Sequence, residues 1–475
     1  MSWLNQWNIR RFLVCVAAAA VAILAFRSAL GPFHLWGFHS AVNSPLATEN
    51  VFWLAFLGLL CLPPQSTIIP RSDRFPRAYL AISLCLIALA IARNLADPFL
   101  SDDYILLNAP PFHWDTFFVA LHSPGGDGSF RPLGTVYYQT VKIFAGTSPV
   151  IWHTVGLALH LINGALVFVI AWRLWRDKTA PAIASLVFGL HGTRPEAALW
   201  TAGTCDLLAS ACVLGSIALA LNRQFGKGLI LVAAGILFKE SAYALPLVAF
   251  CILWPARPFR DFRIYLAGSL GICIALFAWR WHLFHGPGGY LDPATGHPAV
   301  LSLHPLTAAK AVFLRIWDIL FIPVNWDAPA AWWLPLALIA SLLGLVYLAA
   351  TSRRIQLFML PATCCAVLPA IHLALIGQSE LGSRILYLAG APFALLIGSL
   401  ALAAGKRSLI VCAVMLAGIT GILEHNLNAW HHAAVQAQKL CRSASPQESA
   451  PGTFEGVFLF QNGFTECVAA AQKSR

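Results

Sequence analysis

Charge is scarce in this chain. Only 11% of its residues are Asp, Glu, Lys or Arg, where soluble domains average about a quarter, and that scarcity excludes an ordinary soluble enzyme. Soluble repeats and low-complexity tracts are also missing, which removes solenoids and arrays. The 12 cysteines show no zinc spacing. Ten of them lie in or beside apolar runs, where a reduced thiol behaves as a small hydrophobe; only Cys441 and Cys467 sit in a polar tail, bridged or free. No convincing small-residue cleavage site follows the apolar run 12–30, so it reads as a retained first helix rather than a signal peptide. Basic clusters are lacking as well. The formal charge of +11 is spread over many short loops, and no nucleic-acid partner is expected.

What the chain has in abundance is apolar sequence. Of its 475 residues 59% are hydrophobic, and the mean hydropathy is +0.71. A helix needs about 20 such residues to cross a bilayer, so length here counts helices rather than soluble domains. Thirteen spans are drawn at 12–30, 51–63, 78–95, 150–172, 180–190, 206–221, 229–238, 242–254, 264–283, 331–350, 355–376, 385–404 and 409–423. Several are short, notably those at 180–190, 229–238 and 242–254. This partition places 17 of the 31 basic residues in every second loop. The positive-inside rule then sets the amino terminus in the cytoplasm and the carboxyl terminus outside. Run 308–323 carries Lys310, Arg315 and Asp318 and suits an interfacial helix. The expected fold is an all-α polytopic membrane protein. Residues 1–77 hold two N-terminal spans, 78–423 the main bundle, and 424–475 an outer tail in which NAWHHAAVQAQKLC looks helical. Two long outer segments, 96–149 and 284–326, interrupt the bundle and suggest chemistry at the outer face.

The stretch FLSDDYILLN puts Asp102 and Asp103 where the first long outer segment begins. Adjacent carboxylates raise each other's pKa, and a partly desolvated one can act as a general base; equally, Asp is a good helix N-cap. In SFRPLGTVYYQ, Arg131 stands between Phe130 and Pro132 as a bidentate ligand for phosphate or carboxylate. LALHLIN carries His160 and Asn163 on one helix face, suited to a cavity or to a hydrogen bond with the next helix. LHGTRPEAALWTAGTCDLLAS gathers His191, Arg194, Glu196, Trp200 and Asp206, with Glu196 able to pair with Arg194 or cap a helix. LFKESAYALP adds Lys239 and Glu240, either an internal ion pair or part of a site. Ionisable groups at such depth are expensive and usually face a cavity. So many at successive helix ends read as the lining of one polar cavity.

Taken in order, the aspartate pair, FRPL, LHLIN, LHGTRPEAALWTAGTCDLLA and FKESAYALP resemble the polyprenyl-phosphate-sugar-dependent glycosyltransferases of the GT-C superfamily. The similarity is greatest to the branch of transmembrane O-mannosyltransferases with lumenal tetratricopeptide repeats (TMTC/PMT-like), and runs from about residue 99 to 437. Glu380, Arg384 and Tyr387 in SELGSRILYLAG match a further element of that branch. The resemblance implies a GT-C-like bundle of about 13 transmembrane helices with a large first catalytic outer loop. It implies that Asp102 is the base that deprotonates an acceptor hydroxyl, with Asp103 orienting the acceptor or the loop. The sugar is then transferred with inversion from a polyprenyl-phosphate-linked donor. Arg131, His191, Arg194 and Lys239 become candidates for the phosphate; Glu196, Asp206 and Glu240, with His160 and Asn163, would hold them or read the sugar.

Departures from the pattern matter. Arg194 replaces the second His of HPxHxEA, and Thr204-Cys205 precede Asp206 where GRxD has its arginine, so mannose is not inherited by default. The tetratricopeptide repeats do not follow residue 437. Expected partners are the lipid-linked donor, the bilayer, and a protein, lipid or glycan acceptor. No cofactor is required, although Asp102, Asp103 and Asp206 could bind Mg²⁺ or Mn²⁺ if they converge. The expected location is a bacterial inner (cytoplasmic) membrane, tail in the periplasm. A lipid-linked sugar transporter or flippase, which keeps its charges near the midplane, and a noncatalytic scaffold are the alternatives.

Overall fold

The computed structural model describes residues 3–31, 45–62, 74–108, 110, 112–123, 129–256, 258–289, 305–352, 357–373, 382–402, 406–445, 448–450 and 452–473. Glu380 and residues 290–304 of the second outer segment lie outside them. Helices dominate because lipid leaves the backbone no other way to satisfy its polar groups. In chain order they are α1 (Trp3–Leu30), α2 (Pro45–Cys61), α3 (Arg77–Ala92), α4 (Asp103–Leu107), α5 (Trp114–His122), α6 (Pro132–Ala145), α7 (Pro149–Trp175), α8 (Ala180–Gly189), α9 (Arg194–Ala198) and α10 (Thr204–Leu221). There follow α11 (Phe225–Phe238), α12 (Leu245–Leu253), α13 (Phe259–Phe284), α14 (Pro305–Lys310), α15 (Ile316–Phe321), α16 (Leu334–Thr351), α17 (Met359–Val367), α18 (Gly390–Leu400), α19 (Lys406–Ser443) and α20 (Gln461–Lys473).

Among the described residues seven helices, α1, α3, α7, α10, α13, α16 and α19, are long and apolar enough to cross a membrane, and six shorter apolar helices accompany them. Each of the thirteen coincides with one predicted span, so the chain is an integral, polytopic membrane protein with a helical bundle. Shortness has a structural reason. Helices α8 and α18 are buried on every side, packing on each other and, for α8, on α7, so they meet protein rather than lipid. Asp177 caps the first of them, its Oδ1 accepting from the Thr179 and Ala180 amides at 2.8 and 2.7 Å. Around this centre, α1 packs on α2 and α16, α16 on α19, and α10 on α7 and α11, while α12 lies on α17.

Two breaks place the chemistry. Helix α11 stops at Lys239, whose backbone is extended at φ −162°, and a 3-10 turn at Glu240–Ala244 leads into α12. Irregular backbone at membrane depth is tolerated where it lines a cavity. The first long segment, 96–149, is not an open loop, because α4, α5 and α6 fold within it. At the far end the tail drawn from residue 424 begins inside a helix: α19 runs 38 residues without a break, about 57 Å at 1.5 Å per residue, well beyond a hydrocarbon core of about 30 Å. Beyond it an antiparallel hairpin, Thr453–Phe454 with Val457–Phe458, interrupts the helical rule. Helix α20 follows, joined to α19 by a Cys441–Cys467 disulfide with Cα atoms 5.7 Å apart.

Candidate functional site

Arg131 opens α6 and Asp206 lies in the first turn of α10; Lys239 and Glu240 occupy the break after α11. All four line one cavity of about 460 Å³, together with Arg280 from the last turns of α13 and Arg384 from the turn Ser383–Leu386. The charges pair in a set order. Lys239 Nζ stands 2.5 Å from Asp206 Oδ2, so it does not pair with Glu240, its sequence neighbour. Glu240 is shared: its Oε2 accepts from Arg131 Nε and Nη2 at 3.2 and 3.1 Å, and its Oε1 from Arg280 Nη1 at 3.1 Å. Arg384 lies with its guanidinium 4.1 Å from the centre of the Trp200 ring and its Nε 4.0 Å from Asp206. Among the described residues four cations and two carboxylates thus line the cavity, a formal excess of two positive charges. Such an excess, held at low dielectric, suits a doubly charged phosphate.

Glu196 works one layer back. Its carboxylate accepts from the Gly382 amide (2.9 Å), the Ser383 hydroxyl (3.1 Å), the Arg384 amide (2.8 Å) and Arg384 Nη1 (2.6 Å). It pairs with Arg384 instead of its helix neighbour Arg194, and so shapes the turn that presents Arg384. Arg280 is held in the same way: its Nε donates to the Pro287 carbonyl at 2.7 Å. Gly288 at φ 63° makes that return possible, since a Cβ there would stand 3.1 Å from Arg280 Nη2 and 2.9 Å from the Phe284 ring.

The aspartates divide their labour. Asp103 is buried, and its Oδ2 and Oδ1 accept from the Leu100 and Ala202 amides at 3.2 and 3.0 Å. Burial pushes its carboxyl well above the usual range, against those hydrogen bonds. Asp102 precedes α4 and is half-buried. Trp200 joins this loop to the cavity: its indole N–H donates to the Leu100 carbonyl at 3.2 Å while its ring faces Arg384.

Asp102 and Asp103 are not among the described residues that line the cavity, and the remaining predicted residues lie elsewhere as well. His160 accepts at Nδ1 from the Tyr387 hydroxyl (2.7 Å) and donates from Nε2 to the Gly189 carbonyl (3.0 Å). Asn163 donates to the Leu207 carbonyl at 3.0 Å. Both fasten α7 to its neighbours, and neither lines the cavity. His191 spans the Leu320 carbonyl and the Thr193 hydroxyl, both at 2.8 Å; burial, then Arg194, pushes its imidazole down to about 3, so it is neutral. Arg194 is caged between Phe188 and Tyr387, 4.4 and 4.7 Å from the ring centres, with its Nε on the Phe188 carbonyl. Among the described residues no three His, Cys, Asp or Glu side chains converge as metal ligands, Asp102, Asp103 and Asp206 included. Arg280 was the residue to find in the sequence, an arginine inside an apolar 26-residue helix.

A second, apolar groove of about 480 Å³ lies against the cavity. Tyr243 and Phe277 belong to both, and Cys273, Ile274, Ala278 and Trp281 continue the groove along α13. Its walls include lipid-facing side chains, Ile274 and Trp281 being 61% and 50% exposed.

No family model matches the chain. Among curated proteins it is 28% identical over 306 residues to the Protein O-mannosyl-transferase Tmtc2 of Drosophila melanogaster, which covers 58% of this chain and 31% of that protein. The Protein O-mannosyl-transferase Tmtc1 of the same organism is 30% identical over 145 residues, 29% of this chain and 17% of its own. The chain therefore spans less than a third of the curated relatives it matches. Among solved structures, ArnT from Cupriavidus metallidurans bound to undecaprenyl phosphate aligns at 15% identity and a TM-score of 0.39, over 83% of this chain and 85% of that one. By its ordered motifs and its sequence relatives, the chain is similar to the TMTC protein O-mannosyl-transferases.

Proposed function

We propose that the chain is a membrane glycosyltransferase that moves a sugar from a polyprenyl-phosphate donor to an acceptor hydroxyl at the outer face of the membrane. One observation carries this reading: a cation-rich cavity and an apolar, lipid-facing groove share a wall at Tyr243 and Phe277. A ligand that fills both has an anionic head and a long hydrocarbon tail. The curated relatives are named mannosyl transferases, which supports hexosyl transfer while leaving the sugar open.

The reaction follows from the charges. Asp102 takes the proton of the acceptor hydroxyl, whose oxygen forms the new bond to the anomeric carbon from the face opposite the leaving group, so configuration inverts. The bond from that carbon to the phosphate oxygen breaks, and its electron pair stays on the oxygen. A singly charged phosphodiester thereby becomes a polyprenyl phosphate of up to two charges. Stabilising charge as it develops is where an enzyme gains most, and the two-charge excess at Arg131, Lys239, Arg280 and Arg384 serves that end. The acceptor is a protein, lipid or envelope glycan. No step needs a metal. The Cys441–Cys467 disulfide supports a tail outside the cytoplasm, where disulfides persist. That agrees with the positive-inside orientation, amino terminus in and carboxyl terminus out, in a bacterial inner membrane.

Filling the groove tests the amphiphilic reading. Ala278 lines the groove and is exposed, so Ala278→Trp should narrow it without disturbing the core. In purified protein, affinity for undecaprenyl phosphate is expected to fall at least tenfold, about 1.4 kcal/mol, while geranyl phosphate, too short to follow the groove, changes less than twofold. Equal effects on both ligands, or none on either, contradict the assignment.

A further inference from the structure

The tail is built into the aspartate loop. Ser101, immediately before Asp102, is a buried non-glycine residue at φ 54°, a left-handed conformation that L side chains adopt uncommonly and at a cost the surroundings must offset. The tail supplies that constraint. The Phe460 amide donates to Ser101 Oγ at 2.8 Å. At Gly463 the two backbones meet: a Cβ there would stand 2.3 Å from the Ser101 carbonyl and 2.6 Å from the Asp102 nitrogen. The Phe460 ring stacks on Trp200, centroids 5.8 Å apart and planes within 8°, and Trp200 in turn holds the Leu100 carbonyl.

Both ends of α4 are gripped in this way. Past its C-terminus, Asn108 Nδ2 donates to Glu466 of α20 at 2.6 Å. Along its length Tyr104 packs against the small cluster of Phe464, Val468 and the disulfide cysteines Cys441 and Cys467. The disulfide anchors α20 to the long helix α19, which precedes it in the chain. A short helix of five residues cannot fix its own orientation, because it has too few internal hydrogen bonds.

We propose that segment 460–467 is a positioning clamp for Asp102: it holds Ser101 in its left-handed conformation and so sets the direction from which the Asp102 carboxylate meets the acceptor. This rests on the reading of Asp102 as the base. Phe460 and Gly463 do not touch the reacting atoms and act through the loop. Phe460 reaches Arg384, a cavity residue, through the Trp200 ring, so donor affinity is read on the Gly463 variant, which leaves that ring in place.

The full chain is purified as wild type, Gly463→Leu, Phe460→Ala and Phe460→Tyr, and hydrogen exchange is followed in peptides covering 99–108 and 239–253. Gly463→Leu is expected to speed exchange in 99–108 at least tenfold and to leave 239–253 within twofold. Undecaprenyl phosphate affinity stays within twofold. With mannosyl-phosphoryl-undecaprenol as the donor probe, kcat falls at least tenfold at unchanged KM. Phe460→Ala follows in the same direction, and Phe460→Tyr, which keeps the stacked ring, restores both exchange and kcat. Unchanged exchange in 99–108 overturns the clamp; faster exchange with unchanged kcat overturns its positioning role. A wild type that transfers no sugar from any polyprenyl-phosphate donor instead removes the enzyme reading, and the exchange arm still reports on the clamp separately.

Discussion

Arg280→Gln should weaken undecaprenyl phosphate binding roughly tenfold to a hundredfold, and Arg280→Gln combined with Glu240→Gln should recover most of that loss. The argument is one of charge balance. Arg280 is 5% exposed in its side chain and shares Glu240 with Arg131. Its removal lowers the cavity's excess from two positive charges to one, and it also uncovers Oε1 of Glu240, which then repels the phosphate. A charge-assisted hydrogen bond is worth about 1.5–3 kcal/mol, which gives the stated range. Neutralising Glu240 as well removes the repulsion and brings the excess back to two. The recovery separates this account from simple loss of a contact, which the second substitution would only deepen. Binding of a radiolabelled polyprenyl phosphate to purified protein checks it. Arg280→Gln with wild-type affinity would show that the phosphate sits elsewhere.

Glu196→Ala is expected to destabilise the protein by about 3 kcal/mol or more and to lower transfer at least tenfold, with Glu196→Gln intermediate. Glu196 is 5% exposed and accepts four hydrogen bonds from Gly382, Ser383 and Arg384. Breaking a buried pair from one side typically costs about 3–5 kcal/mol, because the remaining charge is left uncompensated. Here that charge is Arg384, whose side chain is 16% exposed, so the lower end applies. The turn at Gly382, φ 73°, is held by the same carboxylate, and with it the placement of Arg384 over Trp200 and beside Asp206. The single oxygen of glutamine can keep only one of the two amide contacts, Gly382 on Oε1 or Arg384 on Oε2, and the ion pair is lost. Denaturation in detergent and the transfer assay read the two effects. A Glu196→Ala protein of wild-type stability would mean that the turn is fixed by its backbone alone.

The bundle was legible because bilayer physics is simple. Apolar runs of the right composition must be helices, and all thirteen drawn from hydropathy coincide with apolar helices among the described residues. Their packing was not legible, and packing decides which polar groups meet. Lys239 and Glu240 are adjacent in sequence, yet an extended residue between two helices sends one to Asp206 and the other to Arg131 and Arg280. His160 and Asn163 share a helix face as expected from their spacing, but that face meets α8, α10 and Tyr387 instead of the cavity. Arg194 carries a conspicuous charge in a motif and turns into an aromatic cage. Arg280 carries no motif at all, and only the cost of an arginine in an apolar helix marks it. The hairpin of the tail escaped notice because its strands are two residues each, too short for any alternation to show.

Most directly decisive is the transfer of a radiolabelled sugar from a panel of polyprenyl-phosphate sugars, in membranes holding matched amounts of the wild-type chain or of Asp102→Asn. Transfer by the wild type from at least one donor is predicted, with a loss of about 10²–10⁴-fold in the variant, the range for removing a general base, while undecaprenyl phosphate binding is kept. Transfer that survives Asp102→Asn undiminished contradicts the assignment of the base. Translocation of the lipid-linked sugar across the membrane, with no transfer from any donor, contradicts the enzyme.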